Sequence, residues 1–171
     1  MENEYLQVIA NAERDNWCVM LCCSTCYADK FRSAVKNIPD LQSALESLDL
    51  DQFTPHKNWY SMLRITAMDH RKSINWDAIM RAWLPYALQH PRFADVVLYH
   101  IVNRVPCDRE MRNEWISACV YLAIRTKYAP LLESLVRILG SKAATYNDLV
   151  ETALAMSPNN DLLRDALAKA G

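Results

Sequence analysis

The sequence predicts an all-α protein, a single compact domain over residues 1–171 built from about 8–10 helices arranged as antiparallel helical hairpins. Three observations predict it. Glycine is nearly absent, with Gly140 and the last residue, Gly171, the two in 171 residues, where an average composition of roughly 7% would supply about a dozen. Apolar residues recur at i, i+3, i+4 and i+7 over most of the chain, and no stretch sustains apolar/polar alternation. Prolines and polar caps supply the punctuation instead of glycine.

The first segment spans residues 3–24, with Leu6, Ile9, Trp17, Met20 and Leu21 on one face, and a cysteine-rich end extends it to residue 26. Helical hairpins then fill residues 28–171. Segment 28–37 precedes Pro39, and Asp40 caps a segment over 40–50. Segment 57–69 follows Pro55. Asn75 opens segment 75–89, whose apolar stripe is Trp76, Ile79, Met80, Trp83, Leu84, Ala87 and Leu88. Pro85 lies inside that stripe, cannot donate to the Arg81 carbonyl, and is expected to kink or split the helix. Pro91 begins segment 91–104, and Pro106 precedes segment 107–127. Segment 129–139 carries Pro130 in its first turn and stops at Gly140, a C′ glycine. Thr145 and Asn147 lie at the start of segment 145–156, and Pro158 starts segment 158–169. Short connections make sequence neighbours antiparallel.

Helix starts at 40, 75, 107 and 145 recur at the length of a helix-pair repeat, a spacing compatible with a short α-solenoid-like array and with a plain bundle. The tetratricopeptide pattern is not met. With Pro158 at its terminal proline, Tyr146 falls where a small residue belongs, and Pro130, Glu133, Ser134 and Arg137 miss the early positions.

Composition excludes several function classes. One internal glycine cannot build a phosphate-cradling loop, a dinucleotide fingerprint or a nucleophile elbow, each of which needs glycine where backbone meets ligand or turns through positive φ. The chain starts Met-Glu-Asn-Glu, acidic where a secretory signal is basic. Its longest apolar runs, 17–23 and 118–124, are far short of the about 20 residues of a membrane span. A soluble, cytoplasmic protein with reduced cysteines is expected. Net charge is −1 but unevenly spread: residues 1–50 hold 4 Lys/Arg against 8 Asp/Glu, and residues 51–127 hold 11 against 7.

Cys18, Cys22, Cys23 and Cys26 form the densest chemical cluster. Cys23-x-x-Cys26 has the spacing of half a zinc site. In a continuous helix Cys18 and Cys26 stand about 12 Å apart along the axis, beyond the reach of one ion. A site therefore needs the helix to break near Ser24-Thr25, leaving Cys22, Cys23 and Cys26 as the candidate metal ligands. The fourth ligand would come from His56, His70, His90, His100, Cys107 or Cys119. The competing expectation is structural, with cysteine packing as a small hydrophobe. Asp69-His70-Arg71-Lys72 reads as a solvated helix end. His100 shares a helical face with Phe93, Val96, Val97 and Ile101 and reads as a core residue, and His90 as a loop residue.

The positive middle is also rich in aromatics: Trp59, Tyr60, Trp76, Trp83, Tyr86 and Tyr99. Rings interleaved with Arg serve core packing, protein interfaces and single-stranded nucleic acid alike. Trp76 and Trp83 fall on their own helix's apolar stripe, which favours the core.

No nucleophile–base pair, tuned carboxylate pair or cofactor loop appears at a specific spacing, so neither a catalytic residue nor a cofactor is expected. The function expected is a non-catalytic protein–protein binding module acting stoichiometrically, as an adaptor, a chaperone, or an inhibitor or immunity protein. Its partner would be another protein with an acidic surface. Partner-binding candidates are Trp59, Tyr60, Arg64, Arg71, Lys72, Arg81, Arg104, Arg109 and Arg112. A nucleic-acid-associated protein using the basic, aromatic middle is the first alternative, and a small zinc-binding helical protein the second.

Overall fold

Asn3 decides where the first helix begins. In the computed structural model, which describes residues 2–17, 28–139, 146–156 and 160–170, its side-chain oxygen accepts the Leu6 N–H at 3.0 Å and starts α1 (Glu4–Arg14). The Asn3 amide also donates to the Ala44 carbonyl at 2.7 Å. One residue thus caps α1 and anchors it to α3 (Leu41–Glu46).

The expectation of one helix running to residue 26 is corrected here, because α1 ends at Arg14. Asn16 adopts φ 51°. Its N–H closes on the Glu13 carbonyl at 3.3 Å, while the Trp17 N–H reaches back to the Ala12 carbonyl at 2.9 Å. This pair of reversed bonds around a left-handed residue is a Schellman stop, with asparagine in the place glycine usually takes. The proposed single face through Leu6 and Trp17 is therefore broken between them. Cys18, Cys22, Cys23 and Cys26 lie outside the described residues, as do Gly140 and Pro158.

After α2 (Asp29–Lys36), Asp40 caps α3 as expected, accepting the Ser43 N–H at 3.0 Å. The segment expected over 40–50 is two helices. Ser47 ends α3, and Asp49 accepts N–H groups from both Asp51 and Gln52 to open α4 (Leu50–Phe53). A second cap inside the segment competes with helix continuation and wins. α5 (Trp59–Asp69) and α6 (Trp76–Ala87) follow, with Asn75 capping α6 through the Ala78 N–H at 3.4 Å. Pro85 does not split α6. It sits in the last turn on an exposed face, where water can serve the Arg81 carbonyl.

Pro91 opens α7 (Pro91–Val97), which runs on into a π-helical turn over Leu98–Val102. α8 (Arg109–Thr126), α9 (Ala129–Leu139), α10 (Tyr146–Met156) and α11 (Asp161–Ala170) complete the chain. The described residues contain helices and connections and no strand, so the all-α class holds.

The helices form two compact units, residues 1–82 and 83–171, divided within α6. In the first, α1 packs on α2, α3 and α4, and α2 packs on α5. Its core is a chain of rings: Tyr5 lies 6.5 Å from Phe31 and 6.0 Å from Phe53, and Phe53 stands edge-on to Trp59 at 5.7 Å. In the second, α8 is the hub, touching α7, the π-helical turn, α9, α10 and α11. Every residue of α8 from Trp115 to Val120 is buried, as a helix enclosed on all sides requires. Trp83 and Tyr86 pack against Phe93 in the same unit. Among the described residues no helix is long and apolar enough to cross a membrane.

Candidate functional site

α5 buries Trp59, Met62, Leu63, Ile65, Thr66 and Ala67, which leaves a narrow outward arc. Along that arc Tyr60, Arg64 and Met68 follow at i, i+4 and i+8, a single ridge about 12 Å long. Tyr60 and Arg64 are half-buried, while Met68 is 53% exposed, the exposed large hydrophobic side chain of the described residues. Sequence reasoning selected Tyr60 and Arg64 and passed over Met68. The signal was present, because the apolar stripe of α5 is already complete without residue 68.

Beyond Met68 the chain turns through residues 70–75, carrying exposed Arg71 and Lys72. This turn is braced at both ends. The His70 carbonyl accepts the Trp76 indole N–H at 3.1 Å. The Gln42 amide makes two bonds to Asn75, accepting its N–H at 2.8 Å and donating to its carbonyl at 3.0 Å. Asp69, the acidic residue of α5, is engaged by the Arg32 guanidinium at 3.0 Å. Arg64, Arg71 and Lys72 form no ion pair among the described residues, and the Nε of Arg64 is buried without a hydrogen-bond partner there. The outcome is a positive ridge with an apolar thioether in it.

The other selected residues separate. Trp59 is 4% exposed and belongs to the core of the first unit, as do Trp76 and, in the second unit, Trp83. Their rings are not available for stacking on a ligand. Arg81 is exposed on the part of α6 that belongs to the first unit. Arg104, Arg109 and Arg112 belong to the second unit, where the Arg104 guanidinium lies 5.6 Å from the Tyr99 ring centre, a cation–π contact.

In the second unit Asp95 is half-buried, and Cys119 and His100 are buried. Ser134 on α9 donates to the Asp95 carboxylate on α7 at 2.5 Å. Burial holds the Asp95 carboxyl above its ordinary range, against the lowering effect of the Ser134 bond. Cys119 is fully buried in α8, and burial, with Asp95 adding to it, pushes its thiol far above the ordinary value. A thiol so held is scarcely ionised at neutral pH and is no nucleophile. His100 is buried within the π-helical turn. Among the described residues no group of three or more His, Cys, Asp or Glu side chains is placed to hold a metal ion. The candidate zinc ligands Cys22, Cys23 and Cys26 fall outside them.

An open cleft of about 290 Å³ lies between α1 and the end of α2, lined by Glu2, Glu4, Val8, Ala34, Ile38 and Pro39 among others. Near the end of α1, Glu13 is held by two donors. His56 Nδ1–H bonds one carboxylate oxygen, and the Lys57 backbone N–H bonds the other at 3.2 Å. These bonds, that from His56 first, hold the Glu13 carboxyl below its ordinary value.

No family model, no curated protein and no solved structure matches the chain.

Proposed function

We propose that the protein is a non-catalytic binding module that acts stoichiometrically on a partner protein, and that the partner presents an acidic surface to the ridge of α5. One observation carries this reading. Tyr60, Arg64 and Met68 stand in line on the outward side of a helix that buries six of its eleven residues, and the chain continues into Arg71 and Lys72. The charges of Arg64, Arg71 and Lys72 meet no carboxylate among the described residues. Tyr, Met and Arg are the residue types enriched at protein interfaces. A turn braced at both ends fixes the backbone that carries Arg71 and Lys72, which favours binding by a fixed surface over a loop that must first be ordered. In this reading one domain of stacked helical hairpins is the frame, and the cytoplasm the place of action.

The test is purification of the tagged full chain from its native cell, wild type beside a Tyr60→Ala/Met68→Ser variant of unchanged helicity and Tm, with quantitative mass spectrometry. The expected result is one protein recovered at about 1:1 with the wild type and lost with the variant. Recovery of no stoichiometric protein, or of the same protein undiminished with the variant, overturns the proposal.

A further inference from the structure

The shape of the ridge identifies the element that would cover it. Tyr60, Arg64 and Met68 lie one helical turn apart in an i±4 row, the surface feature that packs into the groove between the corresponding rows of a second helix. A parallel row of half-buried Ser61 and buried Ile65 lies beside it, so Tyr60, Arg64 and Met68 are the larger outward side chains of this part of α5. Such a row suits the groove of a single helix. Charge narrows the choice further. Over residues 57–72 Lys57, Arg64, Arg71 and Lys72 face one acid, Asp69, which Arg32 already engages. Arg64 is half-buried, and its Nε has no hydrogen-bond partner among the described residues, so a carboxylate of a partner would supply an acceptor for the guanidinium there. Met68 supplies an adaptable apolar contact.

We infer that the occupant is an acidic amphipathic helix of the partner protein, packed on α5. An apolar residue of that helix rests on Met68, and carboxylates about one turn to either side meet Arg64 and the Arg71-Lys72 pair. The inference rests on the binding reading above and specifies its partner. Single-stranded nucleic acid is the poorer fit, because Trp59, Trp76 and Trp83 are buried and a protruding thioether gives nothing to a phosphate backbone.

The test places a photo-crosslinking phenylalanine at position 68 of the full chain in the native cell and maps the adduct by mass spectrometry. The expected adduct lies in a partner segment with apolar residues at i, i+3/i+4 and acids between them. A synthetic peptide of that segment should gain helicity on binding the intact protein. An Arg71→Glu/Lys72→Glu variant, whose changes are confined to exposed positions, should weaken that peptide about tenfold or more. Replacing the facing peptide carboxylates by Lys should then restore binding to the variant. Arg64→Gln should weaken binding without any change in Tm. An adduct in a non-acidic or non-helical segment, in nucleic acid or in a second copy of this chain overturns the inference, as does failure of the charge exchange. If the tagged chain still recovers a 1:1 partner but position 68 gives no adduct, the inference falls and stoichiometric binding survives. If neither experiment finds a partner, the binding reading falls with it.

Discussion

The buried hydroxyl pair of Tyr5 and Thr66 has a direction that its geometry settles. The Thr66 hydroxyl donates to the Met62 carbonyl at 2.8 Å, so at 2.9 Å the Tyr5 O–H must be the donor and Thr66 the acceptor. Burial of Tyr5 raises its phenol far above the ordinary value, which keeps that proton in place. Tyr5→Phe should therefore cost about 0.5–1.5 kcal/mol, the worth of one net hydrogen bond. Thr66→Val should cost more, about 1–3 kcal/mol, because it strands a buried donor. Denaturant unfolding of both variants checks the order, and a costlier Tyr5→Phe would refute the assignment. Glu13 makes the corresponding pH statement. Its carboxyl is lowered in the folded chain, by His56 first and the Lys57 N–H second, so its stabilising effect is present above the unfolded value of about 4.3. That effect is lost as pH falls through the folded value. Wild type should accordingly exceed Glu13→Gln in Tm at neutral pH, and the difference should close below about pH 4. The pair is partly exposed, so the difference is expected to be small.

Helix boundaries show which signals a sequence makes legible. Asp40 and Asn75 were readable as caps because each precedes an apolar-periodic run, and both bond as caps do. Asp49 was not, because periodicity continues across it: Leu45, Leu48 and Leu50 are all buried, so the pattern looks unbroken while the backbone changes helix. Asn16 was missed because a stop was sought at glycine. The same scarcity of glycine that announced a helical chain had moved one of its left-handed positions onto asparagine. Asn16→Gly should leave Tm nearly unchanged or raise it, whereas Asn16→Ala should cost about 1 kcal/mol, the steric penalty of a left-handed β-carbon without a local polar compensation. Thermal melts followed by circular dichroism distinguish these outcomes, and an Ala variant as stable as wild type would contradict the left-handed geometry. The ridge divides in a similar way. Its cations were legible as charge, but Met68 was not, because methionine counts as core until the burial of its neighbours shows the stripe to be full. Trp59 failed in the opposite sense, since an aromatic at the edge of a basic stretch reads as surface and folds as core.

At the scale of the molecule the expectation of one domain over 1–171 meets a chain that forms two compact units, with the division inside α6. That helix carries Trp76, Ile79 and Met80 before the division and Trp83 and Ala87 after it, all buried. The backbone of α6 runs unbroken through the division, so unwinding begun at one end can propagate along the same helix to the other. Cooperative unfolding of both units is the expected consequence, since helical segments propagate far more readily than they nucleate. Cys119 provides the reporter. It is enclosed in α8 with its thiol scarcely ionised, so a thiol reagent can reach it only through opening of the second unit. When reclosing outpaces labelling, the labelling rate follows the population of the open form. A change confined to the first unit, Tyr5→Phe, should then speed modification of Cys119. About 1 kcal/mol of lost stability corresponds to roughly fivefold. The half-buried Cys107 should react early in both proteins. Peptide-level mass spectrometry of timed labelling, with Trp115→Ala as a variant in the second unit itself, separates the alternatives. Acceleration by both variants makes the chain one cooperative domain, whereas acceleration by Trp115→Ala alone makes it two.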